Sequence, residues 1–190
     1  TVAMSQMKVR EELPEKYKWN LTDLYSTDET WKTEKERIQQ EMQKMAQYKG
    51  KLTQSANTLY EALEFSTQTV KELVRLSSYA SMKSDQDTRD SKYAKMRQEI
   101  GQLFSEYGSL TSYIEPELLT LNEAQLKQFL SQKKELATYE FYLQDLLRKR
   151  AHRGSEEVEK VLAYSSLMSG NAANIYSTFF NAEFPHPEIE

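Results

Sequence analysis

The residues that could perform chemistry in this chain are few and widely separated. Its 190 residues include two histidines, His152 and His186, and no cysteine. A zinc hydrolase commonly places two histidines one helical turn apart, and neither histidine has a second one four residues further on. Local sequence therefore assembles no zinc site. The lack of cysteine excludes disulfides, thiol nucleophiles and cysteine-ligated metal centres.

Residue spacing also argues against a serine nucleophile, a phosphate-binding loop and a calcium-binding loop. A serine nucleophile needs a base and a sharp glycine-flanked turn, and the five scattered glycines build neither that turn nor a phosphate loop. Asp85, Asp87 and Asp90 resemble the start of a calcium loop, but that loop needs glycine at position six and glutamate at position twelve. Those positions hold Asp90 and Met96. The acidic run is therefore interpreted as an interhelical turn in which Thr88 caps the next helix.

Charge and hydropathy narrow the class of partner. The chain has 25 basic and 29 acidic residues and a net charge of −4, so no nucleic-acid partner is expected. One basic run, 148–153, could contact phosphate, but its position at a helix end favours a solvated, dipole-complementing role. No apolar run reaches the roughly 18 residues of a membrane span. No membrane association is expected, and the lack of cysteine and of a signal sequence predicts a cytoplasmic location.

The elements that would position any site are helical. Five glycines and four prolines in 190 residues favour long helices over turn-rich sheets. We predict an all-α fold with long antiparallel helical hairpins, shorter helices and a bundle-like arrangement. Residues 1–12 are predicted to be a disordered or vector-derived start, 13–27 an extended aromatic arm, and 28–190 a helical domain. The arm is expected to insert Trp19, Leu21 and Tyr25 into that domain.

The first two long helices have recognisable starts and apolar stripes. Ser26 and Glu29 are spaced as a capping box for a helix that ends near Gly50. Its predicted buried face is formed by Trp31, Ile38, Met42 and Met45. A second helical region runs over 55–83, where 66–69 could introduce a kink because serine and threonine are poor helix formers. Its predicted stripe contains Leu59, Leu63, Ser66, Val70, Leu73, Ser77 and Ala80.

The third helix, predicted over 88–114, carries the clearest pattern. Its apolar positions step by three and four residues, and Pro116 is expected to prevent continuation beyond Glu115. A two-stranded coiled coil is one interpretation. A hairpin within the chain is favoured, because the preceding helix has the same period and the connection is short. The seam residues are Tyr93, Met96, Ile100, Leu103, Tyr107, Leu110 and Ile114.

Shorter helices follow Pro116. They are predicted over 122–132 with Asn122 as N-cap, over 136–151, from Ser155 onward, and over 171–181. Tyr139, Tyr142 and Tyr176 could face a peptide or pack in the core. Sequence alone does not separate these two roles, so no catalytic, cofactor-binding or metal-binding residue is assigned.

The order of several segments resembles the amino-terminal domain of oligoendopeptidase F, a zinc metallopeptidase of the thimet-oligopeptidase group. The resemblance covers roughly residues 8–190. Two positions depart from the family pattern, Asn20 where aspartate is expected and Gly154 where leucine is more frequent. The segments that carry it are 17–25 (YKWNLTDLY) with Trp31, Tyr79-Ala80, 85–88 (DQDT), 116–118 (PEL), and 152–155 (HRGS) with Glu157, Glu159 and Leu162-Ala163.

The resemblance implies a domain without a catalytic centre. The family's catalytic signature is a HExxH helix that binds zinc, and this sequence does not contain it. The chain is therefore expected to form part of the wall of a substrate channel, to bind no zinc itself and to be inactive alone. The expected partners are the missing carboxy-terminal catalytic domain and short peptide substrates, with self-association of the isolated chain. The alternative is a stand-alone helical interaction module without enzymatic activity.

Overall fold

A computed structural model describes residues 12–86, 90–150 and 176 of the chain. The chain divides into two compact units, Thr1–Leu147 and Arg148–Glu190, and the core built by the helices below belongs to the first. No strand occurs among the described residues, and the predicted all-α class is confirmed. The α-helices of this part are α1 (Asp28–Glu41), α2 (Ala56–Gln86), α3 (Ser91–Thr111), α4 (Ile114–Leu118), α5 (Glu123–Gln132) and α6 (Glu140–Lys149).

The aromatic arm before α1 contains two 3-10 turns, Glu15–Tyr17 and Leu21–Asp23. Leu21 and Tyr25 are buried, as predicted, and the Tyr25 ring meets the Tyr79 ring edge-on at 5.5 Å. Trp19 is 75% exposed, so the prediction that it inserts into the helical domain is wrong. The second turn places Leu21 and Tyr25 on one side, four residues apart, whereas Trp19 precedes the turn and takes no part in it.

The start of α1 lies one residue later than predicted. Thr27 has an extended backbone (φ −146°, ψ 163°) and accepts a hydrogen bond from the Thr30 amide at 3.1 Å. An N-cap requires that backbone conformation, so the proposed Ser26–Glu29 capping box is wrong. The Ser26 hydroxyl lies 3.1 Å from the Thr30 hydroxyl instead.

The apolar face of this first helical segment is confirmed. Trp31, Ile38, Met42 and Met45 are all at most 2% exposed. After α1 the chain tightens into a 3-10 helix over Met42–Tyr48 rather than continuing as one α-helix. Gly50, with φ +76°, ends the segment as predicted, because a left-handed backbone is easily adopted only by glycine.

Helix α2 is a single α-helix of 31 residues, so the division into two helices considered at 66–69 does not occur. The hydroxyls of Thr67 and Thr69 donate to the carbonyls of Leu63 and Phe65, both at 2.8 Å, which satisfies them within the helix. Val70 is 38% exposed, so its place in the predicted stripe is wrong. The buried face of α2 overlaps that stripe in four residues, Leu59, Leu63, Leu73 and Ala80, and also includes Ala62, Thr69, Leu76 and Tyr79.

Helices α2 and α3 form the central hairpin of the unit. The seam residues Met96, Ile100, Leu103 and Tyr107 of α3 are buried in the same core as the apolar face of α2. The predicted hairpin within the chain is confirmed. The N-cap of α3 is Asp90, which accepts from the Lys92 amide at 2.8 Å, rather than Thr88, which lies outside the described residues.

The chain continues as a helix past Pro116. Helix α3 ends at Thr111, and α4 begins at Ile114 with Pro116 in its first turn. Amides of a first helical turn have no acceptor within the helix, so proline is tolerated there. The third helix therefore ends before Glu115, as predicted, but Pro116 lies in the first turn of the separate helix α4 and does not itself terminate α3. The N-cap of α5 is confirmed, because Asn122 and Gln125 form a reciprocal capping box.

The helix predicted over 136–151 divides into two elements. Lys134–Tyr139 forms a 3-10 helix, and α6 follows it directly. Leu136, Leu143 and Leu146 are buried, whereas Phe141 is 82% exposed. The helices predicted from Ser155 and over 171–181 fall outside the described residues, apart from Tyr176, which is helical and exposed.

Candidate functional site

The described residues contain no zinc-binding arrangement. No group of three or more His, Cys, Asp or Glu side chains converges among them. Both histidines lie outside the described residues, and the sequence has no HExxH segment. The residues present in the described part therefore do not fit a catalytic zinc.

A polar cluster joins the start of α1 to the hairpin. Asp28 accepts a hydrogen bond from the Tyr79 hydroxyl at 2.7 Å, and the ammonium group of Lys92 pairs with its other carboxylate oxygen. The Lys83 ammonium lies over the rings of Tyr79 and Tyr93, 5.6 and 5.5 Å from their centroids. Burial raises the pKa of Asp28, but the hydrogen bonds from Lys92 and Tyr79 outweigh it and hold that pKa below its ordinary value. These contacts connect α1, α2 and α3, so we interpret the cluster as one that stabilises the fold.

A cavity of about 350 Å³ lies between α2, the end of α3, α4, the 3-10 helix Lys134–Tyr139 and α6. The apolar side chains Leu63 and Ile114 are buried members of the core, and Glu115 and Tyr142 are exposed to solvent. The cavity therefore connects the core to the surface. Its lining residues are Leu63, Ser66, Thr67, Thr111, Ile114, Glu115, Tyr139 and Tyr142.

The hydroxyl groups of the cavity are held by the surrounding helices. Thr111 donates to the carbonyl of Tyr107, and Thr67 donates to the carbonyl of Leu63, both at 2.8 Å. The hydroxyl of Tyr139 donates to Glu64 at 2.7 Å and lies 3.2 Å from that of Thr67. These contacts fix the positions of the polar groups before any ligand binds.

At neutral pH the cavity region contains an ionised carboxylate, that of Glu64, and a protonated phenol, that of Tyr142. Hydrogen bonds from Gln68 and Tyr139 lower the pKa of Glu64, so its carboxylate is ionised at neutral pH. Burial, followed by the nearby charge of Glu115, raises the pKa of Tyr142, so its phenol stays protonated. The site presents neutral phenols beside carboxylates.

A second surface surrounds the exposed Trp19. Trp19 lines a pocket of about 240 Å³ with Tyr17, Leu21, Met82, Asp85 and Gln86. Leu13 and Tyr17 are also exposed, 36% and 67%. Exposed apolar groups of this kind often mark an interaction surface. We call residues Tyr17 and Trp19 the aromatic surface.

Two of the cavity's lining tyrosines were considered in the sequence analysis without being assigned to a site, and its other lining residues were not considered. Tyr139 and Tyr142 line it, whereas Tyr176 is not among its described lining residues. Thr67, Thr111 and Glu115 come from elements far apart in sequence. Only the tertiary packing that places these elements around one cavity brings them together, and no spacing rule encodes that packing.

The fold and these surfaces define an all-helical domain whose described part carries a surface cavity and no cluster of three or more metal-ligating side chains. A family model described as Oligopeptidase F matches residues 117–185. Oligopeptidase PepF of Bacillus subtilis (strain 168) is 34% identical over 195 residues, which covers 100% of this chain and 29% of that protein. The plasmid oligoendopeptidase F of Lactococcus lactis subsp. cremoris is 32% identical over 184 residues, 96% of this chain and 31% of that protein.

Solved structures agree with the sequence comparison. The oligoendopeptidase-F of Enterococcus faecium superposes with a TM-score of 0.64 and 28% identity over 86% of this chain and 32% of that one. The chain belongs to the oligoendopeptidase F family and corresponds to its amino-terminal domain. It spans about 30% of the length of the curated relatives it matches. Among the described residues, no helix is both long and apolar enough to cross a bilayer.

Proposed function

We propose that this chain is the non-catalytic amino-terminal domain of a zinc-dependent oligopeptide endopeptidase and forms part of the wall of its substrate channel. The single observation that carries the proposal is the similarity of the whole chain to about 30% of each relative, combined with a sequence that lacks HExxH. The zinc, which would polarise the scissile carbonyl and activate water, belongs to the remainder of the parent protein.

The aromatic surface supports an interdomain role. Trp19 and Tyr17 place large apolar rings in solvent beside Met82, although nearby Leu21 and Tyr25 are buried. We assign this surface to contact with the carboxy-terminal catalytic domain, which would cover it in the parent. The isolated chain would then expose it and self-associate. A cytoplasmic location is part of the same proposal, and the cysteine-free sequence supports it.

The test is reconstitution of peptide cleavage. The 190-residue chain, the carboxy-terminal part of its parent, and a mixture of the two are each incubated with zinc and an internally quenched short peptide. Cleavage is expected from the mixture and not from the chain alone. Chelator-sensitive cleavage by the chain alone would refute the non-catalytic assignment. Equal cleavage by the carboxy-terminal part with and without the chain would refute a role in the channel.

The same mixture tests the interdomain surface. Trp19 is exposed and Trp31 is 2% exposed, so a change in the accessible tryptophan on mixing reports on Trp19. We expect reduced acrylamide quenching when the carboxy-terminal part is added. The Trp19→Phe variant should show no such change. Unchanged quenching in the original chain would place the contact elsewhere.

A further inference from the structure

The exposed Trp19 stands between two adjoining pockets, each with a volume of about 240 Å³. Trp19, Leu21 and Gln86 line both pockets, which therefore share a wall. Each volume is below the usual range for a small-molecule site and suits a single side chain. Together the two pockets suit two neighbouring side chains of one partner.

The first pocket favours an apolar side chain. Tyr17 and the half-buried Met82 line it together with Trp19. A methionine thioether adapts its shape to apolar and aromatic groups. The exposed Asp85 lines the same pocket, and its carboxylate repels a second anion there. An uncharged apolar group is therefore the better occupant.

The second pocket is polar and contains Lys83. Asn20, Thr22 and Ser26 line it with amide and hydroxyl groups. The Thr22 hydroxyl donates to the amide oxygen of Asn20 at 2.6 Å, which positions both side chains. A lysine ammonium offers three donors and a positive charge. The pocket therefore favours a group that is negatively charged and accepts hydrogen bonds.

The Lys83 ammonium is positioned by two aromatic rings. It lies 5.6 Å from the ring centre of Tyr79 and 5.5 Å from that of Tyr93. Rings attract a cation but carry no net charge, so these contacts orient the ammonium without neutralising it. The nearby carboxylate of Asp28 pairs with Lys92. An arriving carboxylate can therefore pair with Lys83 while the ring contacts remain.

The order of residues in α2 sets the spacing of the two occupants. Met82 and Lys83 are consecutive, and consecutive side chains of an α-helix point about 100° apart. Met82 lines the first pocket and Lys83 the second. The matching partner therefore presents an apolar and an acidic side chain next to each other.

We propose that the two pockets beside Trp19 receive an acidic side chain and a neighbouring apolar side chain from the carboxy-terminal catalytic part of the parent. The carboxylate pairs with Lys83, and the apolar side chain packs against Met82 and Trp19. The identity of the partner rests on the proposed function, because this chain spans only about 30% of its relatives. The preference for an acidic and apolar pair rests on the pockets alone.

The first experiment is a titration of the full 190-residue chain observed by NMR of side-chain N–H groups. The probe is the capped peptide Ac-Phe-Asp-Phe-NH2, and Ac-Phe-Asn-Phe-NH2, which has nearly the same shape without the charge, is its matched control. Saturable shifts are expected at the Trp19 indole and the Gln86 amide at about millimolar peptide, the range for a small contact. The Trp31 indole, buried and bonded to the Leu76 carbonyl, is the internal reference.

The two peptides should differ in affinity. The asparagine peptide is expected to bind about two- to five-fold more weakly, the upper range for a partly exposed ion pair. Equal binding of the two peptides would overturn the proposal, as would the absence of saturable shifts. Ac-Phe-Asn-Phe with a free carboxyl terminus is a third probe. Tighter binding of that peptide than of the aspartate peptide would replace the docking assignment with capture of a peptide terminus.

Variants locate the charge that is read. Lys83→Met keeps the stem and should bind the aspartate peptide about two- to five-fold more weakly, so that it no longer prefers that peptide. Lys83→Arg should keep the preference. Lys71→Met removes the same charge from an exposed position of α2 outside both linings and should bind as the original chain does. An unchanged preference in Lys83→Met would overturn the role of Lys83.

The second experiment asks whether the carboxy-terminal part of the parent is the partner. Lys83→Met should weaken its association with the chain by about two- to five-fold in an acrylamide-quenching titration, whereas Lys71→Met should not. Equal association of both variants would overturn this choice of partner. Successful reconstitution of cleavage without any peptide preference would refute only the present inference. A peptide preference without reconstitution would refute the proposed function and leave the chemistry of the pockets standing.

Discussion

Asp28, in the first turn of α1, accepts a hydrogen bond at 2.7 Å from the hydroxyl of Tyr79, which lies 51 residues later in α2. The same carboxylate pairs with Lys92 near the start of α3. One acidic side chain therefore joins α1, α2 and α3 at one end of the hairpin. Tyr79 is 2% exposed, so this contact reaches into the core.

The Asp28 contacts predict a loss of stability at acid pH. The pKa of Asp28 is lower in the folded chain than in the unfolded chain, so its contribution is present above the unfolded value and declines as pH falls through the folded one. Asp28→Asn should lower the free energy of unfolding by about 1–2 kcal/mol at pH 7. The difference from the original chain should shrink below about pH 4, near the ordinary aspartate pKa. Urea unfolding at several pH values measures it.

The control for Asp28 is the adjacent acidic residue of the first turn. Glu29 is exposed and has no side-chain contact of this kind among the described hydrogen bonds. Glu29→Gln should change the unfolding free energy by less than about 0.5 kcal/mol. A difference between Asp28→Asn and the original chain that stays constant down to pH 2.5, about one unit below the ordinary aspartate pKa, would contradict the linkage.

The parts of this fold that sequence predicts are those fixed by local chemistry. The buried positions of the first helix, the Asn122 cap and the seam of α3 follow from spacing and side-chain type. The errors arise where two alternative local structures are similarly favourable. Thr27 and Ser26 are both good caps, and only the backbone angles select Thr27.

Other features depend on contacts between distant segments. Trp19 and Tyr25 are both aromatic residues in the same arm, yet only Tyr25 lies against Tyr79. The cavity needs Thr67, Thr111 and Tyr139 to meet across the fold, and their separation in sequence hides that relationship. Sequence therefore predicts the helices and part of the core, whereas the candidate site follows from how the helices pack.

Two glycines of the chain should respond to alanine in opposite directions. Gly50 has φ +76°, where an alanine side chain is strained, so Gly50→Ala should destabilise the chain by about 1–2 kcal/mol. Gly108 lies inside α3 with open space around its Cα, so Gly108→Ala should stabilise it by about 0.5–1 kcal/mol. Thermal and urea unfolding provide the measurement. Stabilisation by Gly50→Ala would show that the turn has a different backbone.

A substitution at the seam residue Leu103 distinguishes whether the α3 seam is part of the core or a partner-binding surface. Leu103 is 3% exposed in the core shared by α2 and α3, so Leu103→Asp buries an unpaired charge and should cost more than about 4 kcal/mol. Circular dichroism is expected to show an unfolded chain. Gln102→Asp, one residue earlier on the exposed side of the same helix, should remain folded. A folded Leu103→Asp variant that loses binding to a partner would instead support the interaction-module alternative.

The two tryptophans report on different environments and can be separated by single replacements. Trp31 donates its indole N–H to the carbonyl of Leu76 at 2.9 Å and is 2% exposed, whereas Trp19 is 75% exposed. Trp19→Phe should leave emission from a buried tryptophan, poorly quenched by acrylamide, and should change stability by less than about 0.5 kcal/mol. Trp31→Phe should leave red-shifted, strongly quenched emission.

Replacement of Trp31 also removes a hydrogen bond and core volume, so Trp31→Phe should lower the unfolding free energy by about 1–3 kcal/mol. Urea unfolding followed by circular dichroism measures that loss without relying on either tryptophan. Equal quenching of the two variants would mean that Trp19 is covered in solution. Since Trp19 is solvent-exposed within this unit, such a result in a concentrated sample that disappears on dilution would identify self-association through the aromatic surface.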